Sequence, residues 1–506
     1  MKTFIYIGTI AGGVLDVPAQ LTAVGCALLL VLLSGCAAGP NFKTPAPPKV
    51  GSYTSAPLFA TASVTNVPGG EAQRFVIGGD LPGEWWTLFH SKPLNDLIER
   101  SLTNNPDLKA AQAALRTARE NLLAGRGAFW PGVDGSFSGN RQRTSEELAP
   151  VPNGNVFYFN LYTPQVTVTY VPDVFGLNRR TVESLKAQEQ QARFALVATH
   201  IALSANVVAA AIQEASLRAQ IDATRELIGI NSNMVRILRA QFAKGYVSRL
   251  DLAAQEAQLA QTVAALPPLR KQLAQQRDLL AVLAGGFPSG DLPETFELSS
   301  LALPQDLPVS LPSQLVEQRP DVRQAEENLH AASAQIGIAA ANRLPNITLT
   351  ADAGTMALEA SQLFTSGAGF GALGASIAQP IFQGGTLLHR ERAAKAAYDQ
   401  AFEQYRGTVL TAFQNVADTL NALEEDADAL KTAVAAADST KVTLDITGRQ
   451  VQTGYSSYLS QLTAEQAYQQ AHIALVQAQA NRYADTAALF QALGGGWWHR
   501  ADLPKN

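Results

Sequence analysis

The chain has 506 residues, a formal net charge of −5 and only 16% charged residues. Soluble domains usually carry about 25%, and with no basic block the composition excludes a nucleic-acid partner. The six histidines (His90, His200, His330, His389, His472, His499) are scattered along the chain and form no metal-ligand pair, so neither a metal nor a dissociable cofactor is expected.

In chain order, the first element is an apolar stretch from Leu21 to Leu33 that ends in Leu33-Ser34-Gly35-Cys36. It is too short to cross a membrane and closes on small residues before a cysteine. This resembles a bacterial lipobox, in which the Gly35–Cys36 bond is cut and the Cys36 thiol takes a lipid. Residues 1–35 are then a signal peptide; Lys2 as the sole early positive charge, with Asp16 and Pro18 interrupting the leader, suggests a true start downstream of Met1. Cys26 leaves with the leader, so Cys36 is the only mature cysteine and no intramolecular disulfide forms. Ala37 rather than Asp follows it, which favours the outer membrane. A single acyl chain anchors weakly and several anchor durably.

Residues 36–92 read as an extended arm, rich in proline at Thr44-Pro45-Ala46-Pro47-Pro48 and closing on Trp85-Trp86-Thr87-Leu88-Phe89. A tandem duplication follows. Asn105-Pro106-Asp107-Leu108 recurs 214 positions later as Arg319-Pro320-Asp321-Val322, and Pro131 recurs as Pro345. Pro172 and Gly176 recur 208 positions on as Pro380 and Gly384, and Gly245 recurs 209 positions on as Gly454. Self-similarity of this kind sets architecture before any local reading. It divides the chain into repeat 1 (93–284), a linker (285–313), repeat 2 (314–493) and a tail (494–506). Each repeat should give a helix, a β-hairpin, a very long helix and a returning helix. Pro131, Pro172, Gly176, Pro345, Pro380 and Gly384 mark the corners between strands and helices.

The long helices are expected over about 181–244 and 386–452. Phe194, Ala198, Ile201, Ala205, Val208, Ile212, Ala215 and Ala219 alternate steps of four and three, a coiled-coil seam. At 1.5 Å per residue each spans about 100 Å, which matches the two shorter helices of its repeat stacked end to end. Gly245 and Gly454 are placed to terminate them as C-caps.

The hairpins, about 133–171 and 346–382, alternate strictly. Val133, Gly135, Phe137 and Gly139 interleave with polar residues, as do Val166, Val168 and Tyr170, and Ile347, Leu349, Ala351 and Ala353. Such strands suit a membrane barrel, although soluble antiparallel strands alternate too. Pro164 implies a bulge or a late strand start. Asp134 and Asp352 read as pore-lining or rim positions, and the glycines from Gly369 to Gly374 as relief in a curved strand. Four strands cannot close a barrel, and open edges are not tolerated in lipid, so membrane insertion requires an oligomer. The fold class is mainly α with a small β part.

Nearly the whole mature chain resembles the outer-membrane factor (TolC-like) family of tripartite efflux systems, in its OprM/NodT-type lipoprotein branch. The resemblance rests on Cys36-Ala37-Ala38-Gly39-Pro40-Asn41-Phe42, Trp86 with Phe89, Asn105-Pro106-Asp107-Leu108, Asp173-Val174-Phe175-Gly176, Gln379-Pro380-Ile381-Phe382-Gln383-Gly384-Gly385, Leu250-Asp251-Leu252 and Leu493-Gly494-Gly495-Gly496-Trp497. It implies a homotrimer in which each chain gives four strands to one β-barrel, set on a helical coiled-coil barrel in the periplasm and belted by an equatorial domain from the chain ends and the linker. The implied role is a passive exit duct, not an enzyme, in the outer membrane. Its implied partners are a periplasmic adaptor (membrane fusion) protein, an inner-membrane resistance-nodulation-division transporter and outer-membrane lipid. It also implies a periplasmic aperture at Leu459, Ser460 and Thr463. Leu459 matches an apolar constriction, while Ser460 and Thr463 stand where relatives place acidic residues, which puts cation selection at the mouth in doubt. Alternative readings are export of lipo-oligosaccharide or metal ions, and a lipid-anchored periplasmic coiled-coil scaffold without a pore. The Trp497-Trp498 tail either packs at the equator or docks a partner.

Overall fold

A computed structural model describes residues 37–56, 59–143, 158–290 and 292–503. Gly35 and Cys36 lie outside the described residues. The chain divides into two compact units, one of residues 1–42, 121–186 and 330–398, the other of 43–120, 187–329 and 399–506.

Eight α-helices are described: α1 (Lys92–Asn104), α2 (Pro106–Arg126), α3 (Leu177–Ala243), α4 (Arg249–Leu283), α5 (Pro312–Gln318), α6 (Pro320–Ala341), α7 (Thr386–Gln452) and α8 (Tyr458–Ala492). The two long ones, α3 and α7, each have 67 residues, and the returning α4 and α8 each have 35. Local chemistry fixes their ends. Asn105 accepts the Asp107 and Leu108 amides at 2.9 and 3.2 Å, so Pro106 costs α2 no hydrogen bond. Ser248 and Asp251 form a reciprocal capping box on α4, and Ser457 caps α8.

In the second unit the seam of α7 buries Ala401, Tyr405, Val409, Ala412, Val416, Leu420 and Leu423. From Tyr405 to Leu423 they share a core with Val208, Ile212 and Ala215 of α3. The arm, the linker and the end of α8 meet in an aromatic cluster. Trp85, Phe89 and Phe490 are fully buried, with the Trp85 and Phe490 rings 5.6 Å apart. There β1 (Arg74–Ile77) pairs in parallel with β4 (Asp306–Val309). Buried Gln73 donates to the Pro304 carbonyl (3.0 Å) and to Thr486 Oγ1 (2.9 Å), tying arm, linker and α8 together. The tail belongs to this packing: Trp497 Nε1 donates to the Gln318 carbonyl (2.7 Å) and Trp498 Nε1 to Asp80 (2.9 Å).

The first unit holds an antiparallel sheet of order β2 (Gly132–Arg143), β3 (Tyr158–Tyr170), β5 (Asn346–Thr355), β6 (Gly369–Ala378). Two expectations are corrected here. Pro164 neither bulges nor delays β3, which runs through it in unbroken register with Phe137. It costs rungs only on the β5 side, where the ladder stops at Gln165↔Gly354 and resumes at Tyr162↔Ala357. Gly354 lets the strands close there, since a Cβ would stand 2.4 Å from the Pro164 carbonyl oxygen. The second correction concerns the corner glycines. Gly176 (φ 82°) takes the Arg180 amide on its carbonyl, and Gly385 (φ 82°), not Gly384, does the same for His389. Gly384 (φ 58°) is an extra corner residue, and from Gly385 to the tip the repeats keep one offset of 209.

Candidate functional site: a two-faced sheet and two helix tips

Register across the sheet sorts its side chains into two faces. One face carries the rows Val133–Val168–Ala351–Leu373, Gly135–Val166–Ala353–Gly371 and Tyr170–Leu349–Ala375. The other carries Gly132–Thr169–Thr350–Gly374 and Asp134–Thr167–Asp352–Ala372, and Thr167 donates to Asp352 at 2.6 Å. The apolar face is bare: Val133 and Phe137 are 66% exposed, Ile377 71% and Leu373 90%. Trp130, Ile381 and Phe382 extend this exposed apolar surface at the corners. An apolar sheet face this large is left uncovered only where something apolar covers it. Strands of 10 to 13 residues have the length for a tilted membrane crossing.

At the corners Pro172, Pro345 and Pro380 line one cleft of about 460 Å³; Pro131 and Gly384 are exposed outside it, and Gly176 is buried. The sequence reading missed what Gly176 does. The arm lies so close that a Cβ there would stand 2.6 Å from the Ala37 methyl. Arg180, 4% exposed, donates to the Ala38 carbonyl (3.0 Å), the Gly39 carbonyl (3.2 Å) and Asn41 Oδ1 (2.9 Å), while Glu183 takes its other nitrogen at 2.7 Å. Gly337 completes the seat, and Phe42 stacks on His330 at 4.3 Å. No spacing in the sequence announces this seat, because its parts come from both repeats.

The tips of the two repeats share one design. Gly245 (φ 75°) and Gly454 (φ 80°) end α3 and α7 in left-handed conformation. The Tyr246 and Tyr455 amides then reach back to the Gln241 and Gln450 carbonyls at 3.0 and 2.8 Å, satisfying carbonyls the helix leaves open. Leu250 and Leu459 occupy equivalent places and are 77% and 68% exposed, so neither packs its own chain. Asp251 of repeat 1 corresponds to Ser460, whose hydroxyl meets Ser457 Oγ at 2.9 Å, and Thr463 turns its hydroxyl onto the Leu459 carbonyl at 3.0 Å. Leu459, Ser460 and Thr463 therefore sit together on the first two turns of α8 without a charge among them.

Behind that turn is a buried polar ladder that the sequence did not reveal. Glu465, 2% exposed, accepts from Gln255 (3.0 Å) and Gln461 (3.1 Å), and Gln255 continues to Asn231 of α3 (3.1 Å). Burial pushes the Glu465 carboxyl above its ordinary value against the pull of the two amides. Together with the Tyr458–Gln241 hydrogen bond, this ladder joins α8 of repeat 2 to α3 and α4 of repeat 1.

Residues 97–286 and 311–495 match the family model described as outer membrane efflux protein. The chain is 28% identical over 479 residues to the probable efflux pump outer membrane protein TtgC of Pseudomonas putida, covering 94% of this chain and 95% of that one. It is 28% identical over 480 residues to the outer membrane protein OprJ of Pseudomonas aeruginosa, covering 94% and 96%. Among solved structures it superposes on the outer-membrane channel OprN with a TM-score of 0.81 at 26% identity, over 91% of this chain and all of that one. The chain belongs to the outer membrane efflux protein family. It is an outer-membrane channel that extends into the periplasm and serves as the exit duct of a tripartite efflux system. These relatives are named as channel and pump components rather than enzymes, and the scaffold without a pore is set aside.

Proposed function

We propose that the duct is a homotrimer, anchored by lipid on Cys36, that passes drugs or other small solutes from a resistance-nodulation-division transporter and its periplasmic adaptor to the exterior. The observation that carries this reading is the sheet. It has one apolar face, one polar face and two open edges, β2 and β6. In lipid those edges must pair. Three copies placed edge to edge would close a barrel of about twelve strands with the apolar face outward and the Asp134–Thr167–Asp352 row in the lumen. At the helix tips, the exposed Leu459 side chains of three copies would converge as an apolar constriction, with Ser460 and Thr463 leaving the mouth uncharged. Planar-bilayer recording of the purified lipidated protein tests the reading. Stepwise passive currents from a trimer are expected, with larger resting conductance in Leu459→Ala. A trimer that inserts yet stays silent even with Leu459→Ala would refute the duct geometry.

A further inference from the structure

Inside one chain, α8 of repeat 2 lies against α3 and α4 of repeat 1. Tyr458 bonds Gln241, Glu465 accepts from Gln255 at 3.0 Å, and Gln466 donates to Gln258 at 2.9 Å. Farther from the tip, Gln479 of α8 and the alanines Ala215 and Ala219 of α3 line one cavity of about 370 Å³. The counterpart of α8 is α4, which has the same 35 residues and lies 209 positions earlier. Positions that α8 buries are open on α4. Glu465 and Gln479 are 2% and 8% exposed, whereas their counterparts Glu256 and Arg270 are half-exposed and exposed. Arg270 has no hydrogen bond or ion pair among the described residues.

In a closed ring of three chains, six like repeats follow one another, and every second junction joins repeat 2 of one chain to repeat 1 of the next. Carrying the junction seen within the chain around such a ring puts the neighbour's Arg270 where Gln479 sits. It puts Glu424 and Asp428 of α7 where Ala215 and Ala219 stand, again 209 positions on. The two sides differ in step: an amide over two alanines within the chain becomes a guanidinium over two carboxylates between chains. Asp428 is exposed and Glu424 half-buried, and neither has a hydrogen bond or ion pair among the described residues. Lys431, at the counterpart of Asp222, balances the second carboxylate, so the four groups together are neutral.

We infer that Arg270 of each chain enters an acidic seat formed by Glu424 and Asp428 of the adjoining chain, clasping α4 to α7 wherever two chains meet. This rests on the reading of the duct as a homotrimer. Guanidinium takes carboxylate through two bonds of fixed geometry, and such pairs set register and reject wrong neighbours. A wrong junction, repeat 1 against repeat 1, would bring Arg270 among Arg218 and Arg225, which line the seat in repeat 1. The clasp therefore dictates that repeat 1 follows repeat 2.

The test uses the full-length lipidated protein in detergent, with native mass spectrometry reading the trimer and a short bismaleimide joining introduced cysteines. Arg270→Cys with Asp428→Cys should cross-link chain to chain, while either alone, which also controls for Cys36, should not. Arg270→Glu should leave at least about tenfold less trimer than the wild type, because like charges then meet at every junction. Adding Glu424→Arg and Asp428→Arg should restore it. A trimer indifferent to Arg270→Glu, a triple variant no better than Arg270→Glu, or a cysteine pair that joins only within one chain overturns the inference. A wild type that is not a trimer refutes the homotrimer and this contact with it, whereas an intact trimer without the chain-to-chain cross-link refutes the contact alone.

Discussion

Replacing His200 by glutamine should remove a specific part of the acid sensitivity of the fold. His200 is 3% exposed on α3, its Nε2 has no hydrogen-bond partner among the described residues, and its ring lies 6.4 Å from that of Trp86. Burial first, and then the Arg500 guanidinium, lower its pKa from 6.5 to about 4, with Asp502 opposing. The folded state thus refuses a proton that the unfolded chain binds, so stability is fully present above pH 6.5 and falls as pH drops toward 4. That depression integrates to about 3 kcal/mol per chain across the window. Chemical unfolding followed by tryptophan fluorescence at pH 7.5, 5.5 and 4 should show this loss in the wild type. The His200 part of that loss should be missing from His200→Gln and so stand out in the difference between wild type and variant. Other groups titrate in both proteins, so that difference isolates His200. An unchanged slope in the variant would refute the account of a buried neutral imidazole.

Glu465 should behave with the opposite sign. Its carboxyl is raised by burial, so its contribution is present below about pH 4.5 and lost as pH rises through the folded value; Glu465→Gln should gain stability over the wild type between pH 5 and 8, and an equal difference at both ends would count against it. Two glycine substitutions should also differ in sign. Gly454→Ala forces a side chain into φ 80° with nothing nearby to clash, and should cost about 1 kcal/mol, while Gly407→Ala inside α7, also in open space, should stabilise by up to about 1 kcal/mol in the same unfolding assay. Replacing both Asp134 and Asp352 by asparagine removes the charges of the polar face. Reversal potentials under a salt gradient should then show cation preference falling toward none, and an unaltered potential would place selection elsewhere.

Long-range regularities were legible in the sequence because each is written many times over. Alternation along Val133–Gly139 and Ile347–Ala353 named the faces of the strands, and the four-and-three spacing in α3 and α7 named the seam. Single residues acting through backbone were harder. Pro164 was expected to interrupt β3, but a proline nitrogen turned toward β5 removes rungs on one side only, and Gly354 absorbs the close approach. Gly384 does lie at the corner, but its offset from Gly176 hides that Gly385 takes the matching helix-start amide, because one extra residue stands between Pro380 and Gly385. The Arg180 seat and the Glu465 ladder were invisible for another reason. Each joins residues more than 100 positions apart, and one arginine or one glutamate carries no periodicity.

The seat for the arm also depends on what the two repeats do not share. Its arginine, Arg180, belongs to repeat 1 and its glycine, Gly337, to repeat 2. At the matching positions stand His389, in place of the arginine, and Leu123, 45% exposed, in place of the glycine. Two identical halves would have offered two seats to a single arm. Here each half carries the piece that the other lacks, so the single seat depends on the difference between the two copies. A chain built from either half alone, joined twice over, would fold the same hairpins and have nowhere to moor its N-terminus.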